Sequence, residues 1–112
     1  MNINIKDYGK IVVFLLKGEL DLRAKERCEK IFQEQIEKQP EVVCIDCSEL
    51  TYIDSSGLGV FINFSKIAKE NNFEFVICEI DSKVGSVFDI SKLDQFFKIL
   101  SWKEFEKQYP VT

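Results

Sequence analysis

The chain has 112 residues, 46% of them hydrophobic and 30% charged, with a net charge of −4. That length supports one compact domain rather than two, and the acidic balance argues against the clustered Lys/Arg face of a nucleic-acid binder. No histidine is present, which excludes Ser-His-Asp and Cys-His catalysis and histidine metal ligands.

Residues Ile3–Lys6 suit a short edge strand. Ile11–Leu16 is apolar on both faces and rich in β-branched residues, so it reads as a buried strand. After Lys17-Gly18-Glu19-Leu20-Asp21, the residues Ala24, Cys28, Ile31, Phe32 and Ile36 recur at helical spacing with charges between them. This is an amphipathic helix that must end before Pro40. Val42–Asp46 is a second buried strand. A second helix runs from Ser55 or Ser56 to Asn71, closed by an Asn71-Asn72 turn. Glu74–Ile80 is a third long strand, and Val84, Val87, Phe88 and Ser91 suggest a short helix. Phe96–Leu100 suits a last strand. Trp102, Phe105 and Tyr109 share one face of a C-terminal helix stopped by Pro110.

This order predicts an α/β fold: a mostly parallel mixed sheet with an antiparallel first hairpin, carrying amphipathic helices, in a single domain over residues 1–112. Functional loops of such sheets lie at the carboxyl ends of the strands. Asp21 and Asp54 each follow a predicted strand and belong at that edge.

The apolar runs fall far short of the ~20 residues that span a membrane, and Met1–Lys6 lacks the pattern of a signal peptide. A cytoplasmic protein without membrane insertion is expected. Cys28, Cys44, Cys47 and Cys78 are expected to be buried structural thiols. The Cys44-x-x-Cys47 spacing falls in or just after a predicted strand, where residues three apart face opposite sides, and no second such pair offers a zinc site.

The segment Asp54-Ser55-Ser56-Gly57-Leu58-Gly59 joins a strand to a helix. Its plainest role is a turn, with Asp54 or Ser55 as N-cap and the glycines easing the bend. Its functional role is to present a hydroxyl, on Ser55 or Ser56, at a helix N-terminus that favours negative charge. Enzyme templates fail here. A P-loop lacks its Gly-Lys-Ser/Thr, and a nucleophile elbow lacks both its glycine and a histidine. A dinucleotide loop meets Ile62 where its third glycine belongs. A phospho-receiver, with Asp46 as acceptor, lacks the acidic pair that holds Mg²⁺.

At about 100° per residue, Gly57, Val60, Phe61, Phe64, Ile67, Ala68 and Asn71 form the core sector of this helix. Ser55, Leu58, Ile62, Lys66 and Lys69 fall opposite. Leu58 and Ile62 are therefore expected outside, beside Ser55, as an apolar patch for a partner. Gly59, next to them, lets a partner backbone come close.

Residues Val43–Asp46 and Leu50–Gly59 closely resemble the signature of the STAS domain, whose single-domain members are bacterial anti-sigma factor antagonists. Gly18-Glu19-Leu20-Asp21 resembles the second landmark of that family. Val87–Ser91 with Leu93-Asp94 resembles the third. The resemblance implies a regulator, not an enzyme, with no cofactor, catalytic residue or metal site of its own. Its unphosphorylated form binds an anti-sigma factor that is also a serine kinase, and so frees a sigma factor. The kinase phosphorylates the serine after the motif aspartate, here Ser55, with Ser56 as runner-up. A metal-dependent serine phosphatase reverses the step. The implied partner-binding residues are Asp21, Asp54, Ser55, Ser56, Gly57, Leu58, Gly59 and Ile62. An alternative is a STAS scaffold that is never phosphorylated and serves a larger signalling complex. Two departures touch the expected binding edge. Leu22, Arg23, Ala24 and Lys25 stand where the family often has Ser or Thr, and Lys92 stands where it often has Gly.

Overall fold

The computed structural model describes residues 1–81, 84–86 and 96–111. Five strands form one mixed sheet in the order β1-β2-β3-β4-β5. They are β1 (Asn2–Asp7), β2 (Ile11–Leu20), β3 (Val42–Ile53), β4 (Glu74–Cys78) and β5 (Lys98–Leu100). The β1–β2 hairpin is antiparallel, and every other pairing is parallel. Helix α1 (Leu22–Ile36) follows β2, α2 (Ser55–Asn71) follows β3, and α3 (Trp102–Gln108) follows β5. Residues 84–86 are helical. The remainder of the expected short helix, and the third family landmark at 87–94, lie outside the described residues.

Each sheet face has its own core. Phe14, Leu16, Ile45, Cys47 and Leu50 point to the side where α1 supplies Cys28 and Phe32 and α2 supplies Phe61 and Phe64. Phe32 and Phe64 stack with ring centroids 3.6 Å apart, which joins the two helices. On the other face, Val13, Cys44, Val76 and Cys78 pack with Phe105 of α3, flanked by Trp102 and Tyr109. The C-terminal helix thus uses the face its aromatic spacing predicts. A capping box begins it: the Glu104 N–H donates to Ser101 Oγ at 3.2 Å, and the Ser101 N–H donates to Glu104 Oε1 at 2.8 Å.

Strand β3 runs seven residues beyond the expected Asp46, to Ile53. Register shifts between Leu15 and Lys17, and between Gly18 and Glu19, each place one extra residue on β3. An extra residue turns the inward spacing of two into three. Cys47, Leu50 and Ile53 therefore all face the α1/α2 core, at intervals that look unlike a strand. Strand β4 stops at Cys78, short of the expected Ile80, because Glu79 turns into the left-handed region at φ 60°.

All four cysteines are buried and free. Cys44 and Cys47 lie in opposite cores, as strand geometry requires. Burial pushes the Cys28 thiol up to about 12 and raises that of Cys47. Cys44 is raised first by its hydrogen bond to Cys78, with Sγ atoms 3.1 Å apart, and then by burial. Such thiols pack rather than react. Among the described residues, no helix is long and apolar enough to cross a membrane.

Candidate functional site: two paired strand ends

Strands β2 and β3 end in register, with Leu20 opposite Ile53. The next residue on each is an aspartate that starts a helix. Asp21 has φ −126° and ψ −171°, and Asp54 has φ −116° and ψ −171°. Extended backbone with a short carboxylate is the N-cap arrangement. Asp21 Oδ1 accepts from the N–H groups of Arg23 at 3.0 Å and Ala24 at 3.3 Å. Asp54 Oδ1 accepts from the Gly57 N–H at 3.0 Å.

The two junctions are also tied to each other. The Asp54 N–H donates to the Leu20 carbonyl at 3.4 Å. A Cβ on Gly57 would meet that same oxygen at 2.5 Å and Ile53 Cγ1 at 2.6 Å. Only glycine lets the first turn of α2 lie so close to both strand ends. Gly57 is buried and acts beneath the surface. Gly59 is exposed, and a Cβ added there would find nothing within 4 Å.

Ser55 is the first residue of α2 and is exposed, while Ser56 is half-buried. Among the described residues the Ser55 hydroxyl has no hydrogen-bond partner. The structure thus brings Asp21, Asp54 and Ser55 to one edge. Leu58 corrects the expected patch: it is only 6% exposed and belongs to the same core as Val84 and Phe97. Two sectors on a helical wheel describe a helix covered on one side only. Here α2 meets α1 on one flank, where Asn63 Nδ2 donates to Glu29 at 3.3 Å, and core also reaches Leu58 on the other flank. Ile62 is half-buried against that core and keeps part of its surface in water.

Arg23 is more than a departure from the family pattern. Its guanidinium donates to Asp21 Oδ2 from Nη2 at 2.8 Å and from Nε at 3.1 Å, and to Glu19 at 3.3 Å. The Arg23 guanidinium holds the Asp21 carboxyl below its ordinary value. The signal for this pairing is local: Glu19 and Arg23 are four residues apart with Asp21 between them. Among the described residues, no group of three or more His, Cys, Asp or Glu is arranged to hold a metal ion.

The STAS domain model matches residues 2–104. The chain belongs to the STAS domain family. An anti-sigma-B factor antagonist of Staphylococcus aureus is 25% identical over 108 residues, covering 95% of this chain and 100% of the relative. An anti-sigma F factor antagonist of Paenibacillus polymyxa is 28% identical over 101 residues, covering 89% and 84%. The structure of the Bacillus cell fate determinant SpoIIAA in its phosphorylated form superposes with a TM-score of 0.73 at 19% identity, covering 96% of this chain and 98% of that one. At that identity the likeness is one of fold.

Proposed function

We propose that this chain is an anti-sigma factor antagonist switched by phosphorylation. Unphosphorylated, it binds an anti-sigma factor that is also a serine kinase and frees a sigma factor. The kinase then phosphorylates Ser55, the complex dissociates, and a metal-dependent serine phosphatase resets the switch. The observation that carries this reading is the position of Ser55: an exposed hydroxyl at the start of α2, directly after capping Asp54 and at the same sheet edge as Asp21. The names of the two antagonist relatives support the partner class, and the phosphorylated form of SpoIIAA supports the kind of switch.

Asp21, Asp54, Ser55, Ser56 and Gly59 form the contact edge in this reading, extended by the exposed part of Ile62. Gly57 and Leu58 support it from beneath. Phosphate adds about −1.5 to −2 charges. Beside Asp54, and facing a surface fitted to a neutral hydroxyl, that charge disfavours the complex by ~2–4 kcal/mol, a roughly 30- to 1000-fold loss of affinity. The helix dipole offsets only about 0.3–1 kcal/mol and acts in both free and bound states.

The structural roles of Asp54 and Gly57 equally suit a scaffold that is never phosphorylated. Pull-downs from native extract with wild type, Ser55→Ala and Ser55→Asp as baits separate the two. A small ATP-binding kinase retained by wild type and alanine but lost with aspartate supports the switch. The same partners on all three baits support the scaffold.

A further inference from the structure

A groove of about 340 Å³, lined by Ile62, Ser65, Lys66, Lys69, Phe96 and Phe97, runs along the outer flank of α2. Its floor is apolar, with Phe97 buried and Ile62 half-buried. At its rim Phe96 is 71% exposed, a large ring left in water where a partner can cover it. Lys66 and Lys69 form the other rim, and neither pairs with an acidic group among the described residues. On a chain of net charge −4, this is a local basic site against an acidic whole. Electrostatic complementarity therefore selects an acidic occupant.

The groove continues the Ser55 edge. Ser55, Ile62, Lys66 and Lys69 share one side of α2. At 1.5 Å per residue they span roughly 21 Å. A segment laid beside a helix, with apolar anchors one or two turns apart, is best served by another helix. We propose that the groove takes an acidic amphipathic helix of the same anti-sigma factor that covers Ser55, with its apolar stripe on Ile62, Phe96 and Phe97 and its carboxylates on Lys66 and Lys69. This rests on the antagonist reading and extends its interface well past the switch. A contact so far from Ser55 gives the partner affinity and a faster, salt-sensitive encounter, and leaves the on/off decision to the serine.

The test uses the full chain and the purified anti-sigma factor kinase that phosphorylates it. Affinities are measured at about 50 mM and about 300 mM salt for wild type, Lys66→Glu/Lys69→Glu, Phe96→Ser and Ser55→Asp. The double lysine variant should bind at least about tenfold more weakly at low salt and recover part of that loss at high salt, where the repulsion it introduces is screened. Phe96→Ser should weaken binding by about tenfold at either salt. The groove substitutions lie at the rim, so unchanged melting temperatures certify the fold. Groove variants that bind like wild type, while Ser55→Asp does not bind, overturn the groove and leave the switch standing. Equal binding by wild type and Ser55→Asp overturns the switch, and the groove proposal falls with it. A benzophenone side chain at position 96 identifies the occupant. Cross-linking to an acidic helix of the anti-sigma factor is the expected result. Cross-linking to a basic segment, or to a second copy of this chain, overturns the proposal.

Discussion

Asp21 and Asp54 stand at the ends of neighbouring parallel strands in nearly the same backbone conformation, each capping the helix that follows. The Leu20–Ile53 pairing fixes that equivalence, so α1 and α2 start from the same edge of the sheet. Their carboxylates differ in one respect. Asp21 is paired with Arg23, whereas Asp54 has no cationic partner among the described residues. A phosphate on Ser55 would therefore add to an unpaired negative charge next to it in sequence.

Gly57 and Gly59 should respond oppositely to a methyl group. Gly57→Ala collides with the Leu20 carbonyl and Ile53. It should cost about 1–3 kcal/mol and lower the melting temperature by roughly 5–15 °C. Gly59→Ala enters open space in a helix and should raise stability by about 0.5–1 kcal/mol. If a partner backbone approaches there, the same change weakens binding. Thermal melts of both variants check the first pair of signs.

Removing the Asp54 cap should destabilise the protein without unfolding it. Asp54→Ala leaves the Gly57 N–H without its acceptor and should cost about 1 kcal/mol, while Asp54→Asn retains the cap and most of the stability. Denaturant titrations of the three proteins give the ordering.

The Asp21–Arg23 pair should make stability fall in acid. The folded carboxyl lies below its ordinary value, chiefly through the Arg23 hydrogen bond. Its contribution is therefore complete above the unfolded value near 3.8 and is lost as pH falls through the lower folded value. Asp21→Asn should flatten this part of the stability–pH curve. Melting temperatures between about pH 2 and pH 6 would show it.

The thiols should be silent in the native state. All four are buried, and burial raises Cys28 and Cys47. A thiol-specific chromogenic reagent should label almost none of them in buffer and all four in denaturant. Rapid labelling of the folded protein would contradict the packing described here.

The fold itself should tolerate charge at the proposed phosphorylation site. Ser55 is exposed at the first position of α2, where negative charge is mildly favourable, by about 0.3–1 kcal/mol. Ser55→Asp should keep the circular dichroism spectrum and melt within a few degrees of wild type. Collapse of the fold would contradict a switch that acts only at the interface.

Most of the architecture is legible in the sequence because it rests on local rules. The apolar β2 and β4, the helical spacing from Ala24 to Ile36 and the aspartates after two strands all carry their structure in adjacent residues. Strand β3 looks shorter than it is because two bulges give Cys47, Leu50 and Ile53 a spacing of three, which alternation does not recognise. Leu58 is misplaced by a helical wheel because the wheel shows direction and not what stands there. The core-side position of Gly57 follows from the same wheel. That it abuts a carbonyl of a different strand depends on register, which one segment does not contain.

The most direct test of the switch is the affinity of the purified anti-sigma factor kinase for this protein before and after phosphorylation, with the modified residue mapped by mass spectrometry. A phosphorylation switch at Ser55 gives phosphate on Ser55, none on Ser55→Ala, and binding roughly 30- to 1000-fold weaker after modification. Phosphate found only on Ser56, or equal affinity of both forms, would contradict it.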